Sequence, residues 1–362
     1  MKKKERDFKL NIYLVVIFGI IFVMAGISMF FNSFLTVALK LKPDVSGFQE
    51  SALQVHFVDT GEGDAILIKL PNNKNVLVDS GTANNRNKII SYIDNVFFDG
   101  KGGEFDYAIL THSDIDHSGN FKYILDNYSV HNVYRPKIYS KNYDTNYDEN
   151  GLVINSDSYD EIVLKLNQLS AENKTKIMFS EAGAEAEDIN SFLTFLTPTK
   201  ENYKDENMYS PIVKVSYRNK SILLTGDANF DNEIEVINTV DNLDVDVLKL
   251  SHHGSETGTS LEFLNFCKPE YAIISCGENS YGHPSLNVLN NIKNYSNDLY
   301  NNIYTTQSSG NIIVAVDDVG LLTIDTIQNV DSYIYLDYYL IAIAVMGICL
   351  IVVFFPKYKK DN

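Results

Sequence analysis

From residue 52 onward, short apolar runs alternate with breaks rich in glycine and asparagine, the pattern of β-strands joined by tight turns. Runs 52–58, 65–70 and 76–78 predict the first strands, with Pro71-Asn72-Asn73 turning the chain between the last two. Ile89, Ile90, Ile93, Val96 and Phe97 then recur at helical spacing, so a helix is expected over 84–98, followed by a buried strand at 107–110. Runs 212–217 and 222–225 flank Arg218-Asn219-Lys220 and read as a hairpin that delivers Asp227. Beyond it come a helix at 231–239, a strand at 245–250, a helix at 261–266 and a strand at 271–275, then closing strands at 303–306, 312–316 and 321–324. Segment 139–159 is rich in Tyr, Asn, Asp and Ser and reads as an excursion from the core, of the kind that borders substrate sites. Mixed strands with interspersed helices predict an α/β layered architecture whose topology the pattern leaves open.

Both ends of the chain carry long apolar runs. The uncharged run 12–31 is long enough to cross ~30 Å of hydrocarbon as a helix, and run 338–355 is nearly as long. Transmembrane helices are therefore expected over 12–35 and 336–355. Lys2, Lys3, Lys4, Arg6 and Lys9 precede the first and Lys357, Lys359 and Lys360 follow the second, so the positive-inside bias makes tips 1–11 and 356–362 cytoplasmic. A linker, 36–51, then leads to a domain, 52–328, outside the cytoplasm at the cell membrane, with the lipid bilayer as its partner. A cleavable secretory signal fits the first run less well, because its apolar stretch exceeds the usual ~7–15 residues and no clear small-x-small site follows.

Charge narrows the partners. The net charge of the 362 residues is −17, and setting aside the eight basic and three acidic residues of the two tips leaves 22 bases against 44 acids, a net of −22. Such a surface repels polyanions at long range and offers no basic stripe for nucleic acid, so any phosphate binding must be local. Cys349 lies in the second apolar run, and Cys267 and Cys276 sit in apolar stretches where packing is the expected role; no disulfide framework is implied.

Candidate chemistry concentrates where strands stop. In Leu110-Thr111-His112-Ser113-Asp114-Ile115-Asp116-His117-Ser118-Gly119, four potential ligands fall within six positions, and imidazoles with carboxylates hold hydrolytic divalent metals without any cysteine. The alternative is an Asp/Ser-rich helix cap. Ligand types recur at Thr225-Gly226-Asp227 and Ser251-His252-His253-Gly254-Ser255, and five of the seven histidines fall in these segments and the Gly282-His283-Pro284 turn. His56 reads as a strand histidine and His131 has no motif around it. Asp59, Gly61, Gly63 and Asp64 form a tight strand connection that needs glycine on conformational grounds alone. Ser251 and Ser255 lie in no Gly-x-Ser-x-Gly elbow, so a serine nucleophile is not supported.

These segments, in their order, resemble the metallo-β-lactamase superfamily and, within it, the extracytoplasmic β-lactamase-like domain of ComEC-type DNA-uptake proteins. The similarity spans about 52–325 and comprises Val55-His56-Phe57-Val58-Asp59-Thr60-Gly61-Glu62-Gly63-Asp64-Ala65, Val78-Asp79-Ser80-Gly81, the His112 segment, Leu224-Thr225-Gly226-Asp227, 248–255 and 275–284. The resemblance implies an αββα sandwich with a metal site on one edge. It assigns His112 and Asp114 to one metal, Asp116 and His117 to the other, and Asp227 to a bridging position. His253 is the choice for the remaining ligand and His252 its rival, the other facing substrate; Asp79 would orient a ligand histidine. Asp59 and Asp64 gain a supporting role near the site. Asn207 and Ser210 occupy the place of the usual third histidine, so the set has fewer nitrogens and more oxygens than a three-histidine site, and the two divalent ions are expected to be manganese or zinc.

The reaction expected is hydrolysis by a metal-bridging hydroxide, with His252 or His283 stabilising developing charge or protonating the departing oxygen. A phosphodiesterase or nuclease is expected first, acting on extracellular DNA or another surface phosphodiester. Hydrolysis of a lactam, lactone or thioester, or a non-catalytic surface binding module on the same fold, are the alternatives. No protein partner is identifiable.

Overall fold

The structure, a computed structural model, describes residues 53–138, 158–186 and 188–327. The expected spans 12–35 and 336–355, the linker, both tips and most of the 139–159 excursion lie outside the described residues. Every described residue belongs to one compact unit, Val45–Gln328. Among the described residues no helix is long and apolar enough to cross a membrane.

The chain opens with β1 (Leu53–Phe57), β2 (Ile66–Lys69), β3 (Asn75–Val78), β4 (Phe105–Ile109), β5 (Val130–Arg135) and β6 (Lys176–Phe179). It continues with β7 (Leu193–Phe195), β8 (Val213–Tyr217), β9 (Lys220–Leu224), β10 (Val247–Lys249), β11 (Tyr271–Ile274) and β12 (Ile303–Thr305), then the hairpin β13 (Asn311–Val316) and β14 (Leu322–Ile327). Among the described residues these form an eight-stranded sheet, β14-β13-β1-β2-β3-β4-β5-β6, and a six-stranded sheet, β12-β11-β10-β9-β8-β7. The late strand β13 returns to pair antiparallel with β1, Val55 opposite Val314, a long-range closure that no local pattern announces. Strands β3 to β6 run parallel, and so do β9 to β12.

Helices cover the outer faces: α1 (Arg86–Tyr92), prolonged by a π turn (Ile93–Phe97), α2 (Ile115–Ser118), α3 (Phe121–Asn127), α4 (Ser158–Ala171), α5 (Phe230–Thr239), α6 (Leu261–Cys267) and α7 (Leu286–Tyr295). Successive side chains in a strand point to opposite faces, and the cores follow that period. Val55, Val78 and Ile109 meet Val215, Ile222 and Ile273 between the sheets. Leu67, Leu77 and Ala108 face outward onto Ile89, Phe121 and Ile162, while Leu223, Leu248 and Ala272 face Val236, Phe263 and Val288. The result is an αββα sandwich in which each fully buried aliphatic side chain contributes about 1.5–3 kcal/mol.

The expected strands are present within two residues of their anticipated ends, except that the last runs three residues further, to Ile327. Strands β5, β6 and β7 were not anticipated: β5 carries the exposed His131 inside Val-His-Asn-Val-Tyr-Arg, and β7 has only three residues. His56 is a strand histidine, buried in β1 with Tyr92 Oη 2.9 Å and Gln54 Oε1 3.1 Å from its ring nitrogens. Cys267 and Cys276 are buried free thiols, and burial pushes Cys276 up to about 11.

Candidate metal centre

Parallel strands deliver their following loops to one edge, which is where α/β sheets build sites. Asp79 follows β3, residues 112–117 follow β4, Asp227 follows β9, His252 and His253 follow β10, and the loop bearing His283 follows β11. Three of these residues hold left-handed backbone, Asp79 at φ 57°, His252 at φ 50° and His253 at φ 55°. Such non-glycine conformations are costly and cluster where side chains must be aimed.

The aim of three imidazoles follows from their Nδ1 partners. His253 Nδ1 lies 2.8 Å from the Ser275 carbonyl oxygen, which only accepts, so Nδ1 donates there and Nε2 is turned toward the cluster. His117 Nδ1 donates to Asp79 Oδ2 at 2.7 Å. Asp79 also accepts from Thr111 N at 2.8 Å and Thr111 Oγ1 at 2.7 Å, which leaves that hydroxyl oxygen to accept from His112 Nδ1 at 3.0 Å. One buried carboxylate thereby sets two rings, one directly and one through a hydroxyl.

The freed Nε2 atoms converge. Those of His117 and His253 are 3.1 Å apart, and His112 Nε2 is buried with no hydrogen-bond partner. Asp227 lies among them, Oδ1 3.2 Å from His117 Nε2 and Oδ2 3.4 Å from His253 Nε2, 3.6 Å from His252 Nε2 and 3.9 Å from His112 Nε2. Asp116 Oδ2 is 3.3 Å from His253 Nε2, and Asp114 Oδ2 is 3.6 Å from His112 Nε2. Asp227 thus lies no farther than 3.9 Å from the Nε2 atoms of His112, His117, His252 and His253. Asp114 stands at the N-cap position of α2 but its side chain makes no cap hydrogen bond, which disfavours the capping alternative.

Electrostatics give the same picture. Burial opposes charge on His117, yet Asp227 and Asp79 hold it well above its ordinary value. Burial likewise opposes charge on His253, but Asp227 and Asp116 raise it to about 9. Asp227 is held well below the carboxylate range by His117 and His253 despite burial. This pocket of carboxylates demands positive charge at the imidazole nitrogens, which protons on the rings supply or which divalent cations would supply in their place.

Two residues complete the centre that the sequence motifs left aside or undervalued. Lys249, the last residue of β10, is fully buried, with Nζ 2.7 Å from Asp64 Oδ2 and donating to the carbonyls of Gly226 at 3.2 Å and Leu250 at 3.3 Å. Asp64, His117, Asp227 and His253 each offer a ligand atom, all within 4.8 Å of one another. The legible signal for Lys249 was a lysine in the otherwise apolar Val247-Leu248-Lys249-Leu250.

A cavity of about 420 Å³ opens over the cluster, lined among others by Asp114, Asp116, Asp227, His252, His253 and His283. The His252 and His283 rings lie 5.6 Å apart, and burial lowers both below the usual imidazole value. Ser210 Oγ lies beneath, 3.3 Å from His112 Nδ1 and accepting from Asp227 N at 3.2 Å. Asp59 is paired with Lys88 at 2.8 Å, Asn207 is half-buried in a short 3-10 helix, and neither lines the cavity.

The profile described as the metallo-beta-lactamase superfamily matches residues 58–278. ComE operon protein 3 of Bacillus subtilis is 30% identical over 257 residues, 67% of this chain and 31% of that protein. Recombination protein 2 of Haemophilus influenzae is 28% identical over 255 residues, 70% of this chain and 28% of that protein. The chain thus spans about a third of the length of the curated relatives it matches. Among solved structures, Igni18, a metallo hydrolase from Ignicoccus hospitalis, aligns over 76% of this chain and 100% of its own with a TM-score of 0.41 and 12% identity.

Proposed function

Since the chain belongs to the metallo-beta-lactamase superfamily, we propose that it is a two-metal hydrolase of phosphodiesters, anchored by 12–35 and 336–355 with the domain 52–328 outside the cytoplasm. The observation that carries this reading is the convergence of His112, His117 and His253, each with its Nδ1 engaged and its Nε2 turned toward Asp227. His117, His253 and Asp116 would hold one cation, His112 and Asp114 the other, with Asp227 between. Manganese or zinc suits this mixture of nitrogen and oxygen.

When bound, such cations supply Lewis acidity toward a phosphoryl oxygen and acidify water. The protein's own part is positioning. Asp79 fixes the rings of His117 and, through Thr111, His112. His252 and His283, side by side on the cavity wall, offer ring N–H groups to the oxygens of a substrate held over the cluster. Lys249 offsets the buried charge of Asp64 beneath it.

The relatives' names, a ComE operon protein and a recombination protein, make single-stranded DNA the first polymer to test. Full-length protein loaded with manganese or zinc should carry two ions per chain and cleave either single-stranded DNA or a small phosphodiester, and Asp227→Ala should abolish both metal retention and turnover. Absence of metal-dependent cleavage of any phosphodiester would refute the reading. Turnover of a lactone or thioester instead would move the activity to carbonyl chemistry, and less than one ion per chain would favour a binding module.

A further inference from the structure

The cavity over the cluster contains a charge that metal binding leaves unused. Glu62 lines it, half-buried, and among the described residues no hydrogen bond or ion pair engages its carboxylate. Tyr281 lines the same cavity, 74% exposed, its ring stacked on His283 at 5.9 Å with 29° between the planes. Among the described residues lining the cavity there is no lysine or arginine, whereas Glu62, Asp114, Asp116 and Asp227 are all acids.

Two divalent cations would offset the three aspartates, Asp114, Asp116 and Asp227, and leave one positive charge, enough for a single phosphate. A polymer carrying phosphates on both sides of the scissile one would bring further negative charge toward Glu62 with no fixed cation in the described wall to meet it. A carboxylate and an exposed aromatic ring lining one cavity are instead the combination that receives an ammonium group, by charge attraction and by the ring quadrupole.

Resting on the phosphodiesterase reading, we infer that the substrate carries one anionic phosphate and that its non-reacting arm ends in an ammonium group received by Glu62 and Tyr281, as in a choline or ethanolamine ester. The chemistry needs only water. Its oxygen bonds to phosphorus, the bond from phosphorus to the other ester oxygen breaks with its electron pair, and a proton from water ends on that oxygen. The products are the phosphoryl amino alcohol and a free alcohol.

The test compares 4-nitrophenyl phosphocholine with 4-nitrophenyl ethyl phosphate on the metal-loaded full chain, two esters with the same leaving group that differ in the ammonium. The kcat/KM ratio should favour the phosphocholine ester about tenfold. It should fall toward one in Glu62→Gln, fall partly in Tyr281→Leu and invert in Glu62→Lys, with metal stoichiometry and Tm checking that each variant is folded. A ratio near one in the parent protein, a ratio unmoved by Glu62→Gln, or better turnover of single-stranded DNA than of either ester would overturn the inference. Turnover of glycerophosphocholine or of phosphatidylcholine vesicles supports it and tells a soluble ester from a membrane one.

Failure of every phosphodiester would fall on the hydrolase reading alone. Calorimetric titration with phosphocholine then judges the pocket separately. Binding weakened about tenfold by Glu62→Gln sustains it, and absence of binding overturns it.

Discussion

The ammonium of Lys249 sits 2.7 Å from the carboxylate of Asp64, with both side chains sealed from solvent beneath the histidine cluster. Burial disfavours both charges, yet Asp64 and Asp227 raise Lys249 above its ordinary value and Lys249 lowers Asp64. Lys249→Met, which strands a buried carboxylate, should destabilise the fold by about 3–5 kcal/mol. The double variant Asp64→Asn/Lys249→Met should recover part of that loss. Denaturant unfolding of the three proteins measures it, and a double variant no better than the single one would mean that the pair is not what holds this part of the site.

Asp79 accepts three hydrogen bonds that aim two imidazoles. Asp79→Asn should weaken metal binding about 10–100-fold, read by chelator competition, while the far-ultraviolet spectrum stays that of the parent. Unchanged affinity would mean that His112 and His117 keep their orientation without it.

Gly63 holds φ at +87°, and a Cβ there would meet Asp116 O at 1.8 Å. The approach is backbone to backbone, next to the bond from Asp64 N to Asp116 O, so no side-chain rotation can relieve it. Gly63→Ala should cost about 2 kcal/mol or more and should lower metal affinity by displacing Asp116. Thermal unfolding and metal titration together check this, and a variant as stable as the parent would show that the loop can shift freely.

Glu233 on α5 accepts from the backbone N–H of Thr259 and, at 3.0 Å, of Ser260, tying the helix to the segment after His253. Burial raises its carboxyl from 4.5 to about 7. The folded state therefore keeps this proton to about pH 7 while the unfolded chain releases it near 4.5, so the native state binds more protons in that window and stability falls as pH rises through it. The difference in unfolding free energy between the parent and Glu233→Gln should change across this window, by about 3 kcal/mol at most. A constant difference from pH 4.5 to 7 would place the carboxyl in its ordinary range.

Much of the architecture was legible because strand and helix periodicity is local. Leu67 and Leu77, one register step from Ile66 and Val78, face the opposite core as alternation demands. The pairing of β13 with β1 was not legible, because sheet order is decided by which edge each returning strand can cover. Strand β5 was hidden by its polar, partly exposed sequence.

For the site, side-chain chemistry and the order of motifs determined which loops matter: His112 to His117, Asp227, the paired His252 and His253, and His283. Only the tertiary structure decided where each atom points. Ser275 O anchors His253 Nδ1 and Thr257 Oγ1 lies 3.2 Å from His252 Nδ1, so both rings line the cavity with Nε2 within 3.6 Å of Asp227. It also decided that Lys249 offsets Asp64 and that, among the described residues, no hydrogen bond or ion pair engages the Glu62 carboxylate. The reason is that ligand type is a property of a residue, whereas orientation, burial and charge neutralisation are properties of what packs against it.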